Sequence, residues 1–249
     1  MKRTESVLAF IFAALSIIFL PLQAIAGGAT SYQLGNTTVT LNLVSNGAGK
    51  TYFAPHEDES TSLAVAKAVV KSHGGRVFWL SHGGGRYISF KIGGKNYKFD
   101  PNRMFTDAGA KASLKTLGAY SDEAFHEVRA FAEAVLAKVN SGGGLVVGMH
   151  NNTNGNYSVS EYLKNGKPAG EAREVSLAEG TDPDDFFFTN SERIFSVLKG
   201  RGFNVVLQKL HPTNDGSLSV RSPLPYVNIE AQHGHSSMQK KMLEAMLAL

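Results

Sequence analysis

The chain has 249 residues, 43% of them hydrophobic, with a formal net charge of +4 and no cysteine. Without cysteine the chain forms neither a disulfide nor a lipid anchor at an N-terminal cysteine. The positive surplus is small and reads as dispersed, with no basic run interleaved with aromatic residues, so nucleic-acid binding is not indicated. Cell-wall anions or an acidic substrate account for mild basicity equally well.

Residues 1–26 have the pattern of a secretory signal peptide. Basic residues precede an apolar run over residues 7–20, and Ala24 and Ala26 supply a small-x-small cleavage site. The run is short for a membrane span, and no later segment approaches the roughly 20 apolar residues that a span needs. We therefore expect an exported protein without a membrane anchor, with one mature domain over residues 27–249. The lack of cysteine favours the periplasm over the external medium.

Apolar runs rich in β-branched and aromatic residues predict eight strands, and periodic apolar patterns between them predict four helices. The predicted strands span residues 37–44, 51–54, 76–80, 86–92, 95–99, 144–149, 203–208 and 226–230. The predicted helices span residues 62–72, 122–139, 191–199 and 236–247. Strands that alternate with helices indicate an α/β domain, with a mixed, mostly parallel twisted sheet and helices on both faces.

Local signals refine two parts of this pattern. The pairs Thr189 with Glu192 and Ser236 with Gln239 have the spacing of capping boxes, which predicts the starts of the last two helices. The dipeptide at residues 93–94, two glycines between strand-like runs, predicts a hairpin with a type I′ turn.

Three chemically capable residues follow or end predicted strands. His56 comes after "TYFAP", His150 ends "GLVVGMH" and Glu230 ends "PYVNIE". Ligands of α/β sheets bind at the carboxyl ends of the strands, so we expect the three side chains to meet at one edge of the sheet.

His56 and Glu59 are three residues apart at the junction of a strand and a predicted helix. If the turn begins to coil, both side chains point into the same space. An imidazole nitrogen and a carboxylate suit zinc, and catalytic zinc commonly takes three protein ligands and a water. The alternative is a helix start at which acidic residues complement the macrodipole.

The segment "FDPNRMF", residues 99–105, adds a further piece to this series. A strand followed by His-x-x-Glu, then Asp-x-Asn-Arg, then a buried strand ending in histidine, then a late strand ending in glutamate occur here in that order. This order resembles the zinc carboxypeptidase superfamily, which includes aspartoacylase-like amidohydrolases. The matching pieces run from residue 55 to residue 230 and so cover most of the mature chain.

The resemblance implies a single zinc ion and a general base. His56, Glu59 and His150 match the zinc ligands, and Glu230 matches the base. A carboxylate beside an activated water can take its proton and later deliver it to a leaving nitrogen. An unpaired acid buried after an apolar strand is costly unless it has such a role.

The resemblance also implies a substrate grip. Asn102 and Arg103 match the pair that holds a terminal carboxylate, for which a planar guanidinium provides a two-pronged fork. A purely structural salt bridge from Arg103 to Asp100 or Asp107 is the alternative. Arg86 matches the arginine that stabilises the oxyanion, provided that the glycine-rich hairpin is an insertion.

Other polar residues do not fit the family pattern. In "EAQHGH", His233 and His235 could serve as further metal ligands, line the site or begin the following helix. The tyrosine that many carboxypeptidases place over the substrate has no motif here, and Tyr157, Tyr162 and Tyr226 are the candidates.

We therefore expect an exported zinc-dependent hydrolase that cleaves an amide bond next to a free carboxylate. In the periplasm its substrates would be peptides or peptidoglycan stem peptides. An aspartoacylase-like deacylase of small N-acyl amino acids is the second hypothesis. A non-catalytic binding domain on the same fold is the third.

Overall fold

The computed structural model describes residues 26–163, 165–166 and 168–249. Residues 1–25, which make up nearly all of the predicted signal peptide, lie outside this part. The described strands are β1 (Ala26–Leu34), β2 (Thr37–Asn46), β3 (Thr51–Ala54), β4 (Gly75–Ser81), β5 (Ile88–Ile92), β6 (Lys95–Phe99), β7 (Val146–Asn152), β8 (Ala172–Ser176), β9 (Phe186–Thr189), β10 (Asn204–Gln208) and β11 (Tyr226–Gln232). The described α-helices are α1 (Ser60–His73), α2 (Asp107–Leu117), α3 (Asp122–Asn140), α4 (Glu192–Gly200), α5 (Leu218–Arg221) and α6 (Ser236–Leu247).

Nine of the described strands form one sheet in the order β1-β2-β4-β3-β7-β11-β9-β10-β8. The four central strands β4, β3, β7 and β11 are parallel to one another. Antiparallel pairs flank this centre, with β2 against β4 on one side and β9 against β11 on the other. The expected α/β class and mixed sheet are confirmed. Within the described residues, no helix is long and apolar enough to cross a membrane.

Helices cover the sheet on both faces. One hydrophobic core combines the sheet with residues of α2 and α3, and a second combines it with residues of α1, α4 and α6. A third, smaller cluster includes Phe186, Phe188 and Val206. Within β3, Phe53 belongs to the first core whereas Tyr52 and Ala54 belong to the second, because successive side chains of a strand point to opposite faces. A strand buried on both faces has a continuous apolar sequence, which is why this one was recognisable.

The hairpin prediction at residues 93–94 is confirmed. Strands β5 and β6 pair as a two-stranded antiparallel sheet, and Gly93 and Gly94 have φ values of 56° and 79°. A type I′ turn requires positive φ at both central positions, which glycine adopts without strain.

Both predicted capping boxes are wrong. Thr189 ends β9, and the cap of α4 is Ser191, whose hydroxyl accepts a hydrogen bond from the backbone of Ile194. Helix α6 has His235 at its N-cap with no side-chain cap bond. The side chain of Gln239 is fully buried and bonds to the sheet instead, because tertiary partners there replace the local backbone donor.

Among the described strands and α-helices, five were not predicted, namely β1, β8, β9, α2 and α5. Helix α2 begins at Asp107, and its N-cap is Thr106, whose hydroxyl accepts a hydrogen bond from the backbone of Gly109. Strand β9 is the run "FFFT", which is buried throughout and too short to show a period of its own.

A buried amide network fixes the sheet edge relative to two helices. The Asn151 side chain accepts a hydrogen bond from the backbone N–H of Ser62 (2.8 Å) and donates to the carbonyl of Ala231 (3.1 Å) and to Gln239 Oε1 (2.7 Å). Gln239 Nε2 in turn donates to the carbonyl of His150 (3.2 Å). The network therefore connects α1, β7, β11 and α6 at one point.

The substitution Asn151→Ala should reduce the free energy of unfolding by about 3 kcal/mol. It leaves several buried donors and acceptors without partners, and each such group costs about 1–3 kcal/mol. Urea unfolding followed by circular dichroism measures the loss. Asn154→Ala, which truncates an exposed asparagine three residues further on, is the matched control. Equal stability of the two variants would refute the structural role of the network.

Candidate metal centre

The carboxyl ends of β3, β7 and β11 lie side by side because these three strands are parallel neighbours. His56 follows β3, while His150 and Glu230 lie near the ends of the other two strands. His150 and Glu230 are also register partners, so their side chains lie on the same face of the sheet. The expectation that strand ends bring these residues together is confirmed for this edge.

His56, Glu59 and His150 form a buried cluster, with exposures of 2%, 2% and 3%. Glu59 lies between the two imidazoles. Its Oε1 is 2.8 Å from His56 Nδ1, and its Oε2 is 3.0 Å from His150 Nδ1. One nitrogen or oxygen from each residue lies within 4.8 Å of the others. Two imidazoles thus face opposite oxygens of a single carboxylate.

The charges of this cluster strongly influence one another. Burial alone would lower the pKa of His56, but hydrogen bonds to Asp100 and Glu59 outweigh burial and raise it to about 9. Burial alone would raise the pKa of Glu59, but the two histidines hold it well below its usual range. Opposite charges in the cluster thus favour the ionised form of their neighbours.

The cluster has the composition of a metal site. Two imidazole nitrogens and one carboxylate are a common ligand set of catalytic zinc, with a further position left for water. Glu59 Oε2 and His150 Nε2 are buried without a well-aligned hydrogen bond to any described residue, although Oε2 has the 3.0 Å ionic contact to His150 Nδ1. Buried polar atoms normally have partners, so a cation at this cluster would satisfy an otherwise costly arrangement. The buried group can therefore hold a metal ion.

Asp100 is a component of the site that the sequence analysis did not assign to it. Its Oδ1 is 2.9 Å from His56 Nε2 and also accepts the backbone N–H of Asn102 (2.7 Å). Burial opposes ionisation, but the hydrogen bond from His56 outweighs burial and lowers the pKa of Asp100 to about 2. A carboxylate on the outer nitrogen of a ligating histidine fixes the ring and its tautomer. The sequence feature that could have indicated Asp100 is the Asp-Pro pair that begins "DPNR".

Glu230 is almost fully buried, and burial raises its pKa above the usual value for a glutamate. The Asn228 amide donates to Glu230 Oε1 at 2.8 Å, and the Tyr226 hydroxyl donates to Asn228 Oδ1 at 3.4 Å. Strand β7 leaves room for these side chains of β11 because its residue 148 is glycine. A Cβ there would lie 2.1 Å from the tyrosine hydroxyl and 2.8 Å from the asparagine oxygen.

A cavity of about 840 Å³ opens over these strand ends. Its lining includes six of the seven residues predicted for the site: Glu59, Arg86, Asn102, Arg103, His150 and Glu230. His56, the seventh, is buried beside Glu59 and is not among the lining residues. The sequence pattern therefore identified residues that share one cavity, although they are spread from residue 56 to residue 230.

Arg86 directly follows three glycines, residues 83–85, in a glycine-rich loop that approaches the cluster. Its guanidinium donates to Glu59 Oε1 at 2.7 Å, and the charges of Glu59 and Asp100 raise its pKa although burial opposes this. Glu57 holds the loop, since its Oε2 accepts the backbone N–H groups of His82 and Gly84 at 2.8 Å each. Arg86 is thus placed beside the cluster by a fixed loop.

Asn102 and Arg103 lie on a single 3-10 turn, Pro101–Arg103, which Asp100 caps. The alternative salt bridges from Arg103 to Asp100 or Asp107 do not form. Arg103 instead approaches Asp215 at 3.7 Å, with both side chains more than 40% exposed. An exposed pair at this distance contributes little, so the guanidinium is accessible to a ligand.

The remaining histidines and tyrosines have separate surroundings. His233 lines the cavity, whereas His235 lies 3.6 Å from Asp185 and belongs to a second, partly exposed group with Asp182. Tyr157 and Tyr162 line the cavity and share a short hydrogen bond between their hydroxyls.

No protein-family model matches the chain, and no curated protein matches it either. The chemistry of the site therefore has to be argued from its geometry.

Zinc affinity should increase with pH. Zinc binding displaces the proton that His56 holds with a pKa of about 9, and a histidine binds metal only in its neutral form. Below that pKa, the apparent association constant should increase by about tenfold for each pH unit. Chelator competition at several pH values gives the slope, and calorimetry in buffers of different ionisation enthalpy counts the released proton. A pH-independent affinity would contradict this prediction.

Asp100→Asn should weaken zinc binding by about 10- to 100-fold, because the substituted side chain can no longer fix His56 as a carboxylate does. Asp107→Asn is the control, since that aspartate pairs with Arg129 away from the cluster. Chelator competition on both variants, with circular dichroism to confirm folding, makes the comparison. Equal affinities would show that Asp100 has no part in metal binding.

Proposed function

We propose that the protein is an exported, zinc-dependent hydrolase that cleaves an amide bond next to a free carboxylate. The observation that carries the proposal is the common cavity, which is lined by Glu59 and His150 of the cluster, by the buried Glu230 and by the accessible Arg103. A metal cluster, a base and an anion-binding group together are what hydrolysis of such a substrate requires.

His56, Glu59 and His150 would hold the zinc ion. When bound, zinc supplies Lewis-acid chemistry, which polarises a carbonyl and makes water more acidic. Glu230 acts as the proton carrier. Its carboxylate takes a proton from the attacking water, and the resulting carboxylic acid returns that proton to the amide nitrogen as the carbon–nitrogen bond breaks. The raised pKa of Glu230 suits this exchange, because a buried carboxylate holds a proton more readily than an exposed one.

Two arginines position the substrate beside Glu230. Arg86 points a guanidinium at the edge of the cluster, where negative charge develops on the carbonyl oxygen, and stabilises that charge. Arg103, with the amide of Asn102, binds the terminal carboxylate through paired hydrogen bonds. The Arg103–Asp215 contact gives way to the substrate, since it is long and exposed.

The size of the cavity favours a peptide over a small N-acyl amino acid. Its volume of about 840 Å³ lies in the upper part of the range for sites that hold drug-sized ligands, about 300–1,000 Å³. A single acylated amino acid would leave much of this space to solvent. Peptides, including peptidoglycan stem peptides in the periplasm, are therefore the proposed substrates. Deacylation of small N-acyl amino acids is the alternative, and the activity assay must distinguish the two.

Glu230→Gln should reduce turnover by about 10²- to 10⁴-fold, the usual contribution of a general base, while the zinc content stays the same. The assay incubates the zinc-loaded protein with peptides, stem peptides and N-acyl amino acids, and measures the amines released. Glu161→Gln, which changes an exposed carboxylate on the cavity wall, is the control and should retain activity.

Two outcomes would overturn the proposed hydrolase. Full activity in a Glu59→Ala, His150→Ala double variant would exclude the metal cluster from the reaction. One zinc per chain without turnover on any amide would instead indicate a binding domain.

A further inference from the structure

The positive charge of the chain is concentrated in one region. Residues 86–118 contain seven lysine or arginine residues and two acidic residues, a surplus of five, whereas the whole chain has a surplus of four. The expectation of a dispersed charge is therefore wrong. The rest of the chain is close to neutral, and a partner that recognises charge would be directed to this region.

The β5–β6 hairpin presents two of the seven basic residues, Lys91 and Lys98, on one face. Lys91 pairs with Asn96 and Ser89 pairs with Lys98, and all four side chains are exposed. Because side chains alternate along a strand, these four residues share the outer face of the hairpin. The opposite face packs into the core.

This outer face is the floor of a shallow groove of about 450 Å³. Asn36 and Thr37, from the β1–β2 turn, line one side, and Leu117 and Gly118, at the end of α2, line the other. No carboxylate is among the described residues that line the groove. Among the described residues, neither hairpin lysine on this face has an ion-pair partner within 4.0 Å, so both ammonium groups are available to an anion.

The groove is held rigidly. The backbone of Asn36 donates to the carbonyl of Lys91 (3.1 Å), the Asn36 side chain accepts the Lys91 N–H (2.7 Å), and the Thr37 hydroxyl donates to the carbonyl of Ser89 (2.9 Å). Gly35 allows this close approach, since a Cβ at that position would lie 2.1 Å from the Lys91 carbonyl oxygen. A surface already in place loses little conformational entropy when it binds a partner.

We propose that this groove binds a polysaccharide that carries carboxylate groups. The two lysines match its charges, and the amide and hydroxyl groups of Asn36, Thr37 and Asn96 match its sugar hydroxyls. Nucleic acid fits less well, because single strands bind through aromatic rings on which bases stack. The aromatic residues of the groove, Phe90 and Tyr97, are only 2% and 5% exposed.

The groove and the metal cavity are lined by nearby residues of one chain segment, Ser89 for the groove and Arg86 and Tyr87 for the cavity. The hairpin register ends with the pair Ile88 and Phe99, and the chain continues directly into Arg86 on one side and Asp100 on the other. The next register pair, Ser89 with Lys98, already belongs to the groove. A glycan bound along the hairpin would therefore keep attached groups beside the cavity, whether or not the cavity is catalytic.

The experiment measures binding of fluorescently labelled polygalacturonate by the whole protein, without added zinc, over a series of NaCl concentrations. Binding should weaken as salt is raised, because exposed charges are screened beyond about 8 Å at 0.15 M salt. Lys91→Gln/Lys98→Gln should raise the dissociation constant by about tenfold at low salt, the loss of two charge contacts. Lys71→Gln/Lys138→Gln removes the same charge from exposed positions elsewhere and should bind like the unmodified protein.

The proposal fails if polygalacturonate does not bind, if the control variant loses as much affinity, or if uncharged dextran binds equally well. Equal or tighter binding of a single-stranded DNA oligonucleotide or of anionic lipid vesicles would also overturn it, since the groove would then recognise charge alone. No step of this measurement needs turnover. A protein that binds the polymer but releases no amine in the zinc-loaded activity assay would therefore refute the proposed hydrolase and support the groove.

Discussion

The structure of the site depends on one buried carboxylate. Glu59 is 2% exposed, and an ionised carboxylate inside a protein is strongly unfavourable unless positive partners surround it. His56, His150 and Arg86 provide those partners, although they come from the end of β3, from β7 and from a glycine-rich loop. The need to neutralise one charge therefore fixes the relative positions of three distant segments. A bound cation would also neutralise the Glu59 carboxylate, and His56 would then not need its additional proton.

Glu59 is free to enter the site because other residues cap its helix. It stands at the N-cap of α1 yet forms no side-chain cap bond. The donor that a cap would satisfy, the backbone N–H of Ser62, bonds to Asn151 of β7 instead, and the Ser62 hydroxyl donates to the Glu59 carbonyl. Position at a helix start also favours a negative charge through the macrodipole. Glu59 thus benefits from the helix macrodipole while its carboxylate contacts His56, His150 and Arg86.

The sequence predicted those features that depend on short-range pattern. Strand β3 has a continuous apolar run and the β5–β6 hairpin has two glycines, so both were identified, and the rule about strand ends brought His150 and Glu230 together. Features that depend on tertiary partners were not predicted. Gln239 has the spacing of a capping residue, but its partners come from β7, and nothing in the local pattern indicates this. Asp100 was overlooked because its bond to His56 spans 44 residues.

The register between β7 and β11 has a consequence for folding. His150 and Glu230 become neighbours only when strands that lie about 80 residues apart in the chain pair in parallel, and such long-range pairing forms slowly. A slip of one residue would turn one of the two side chains to the opposite face. The three ligands His56, Glu59 and His150 meet when β3 pairs with β7, and Glu230 joins them only when β11 has added to β7. Uptake of a metal by the three ligands would therefore report the pairing of β3 with β7, and a refolding experiment could use it to time this step.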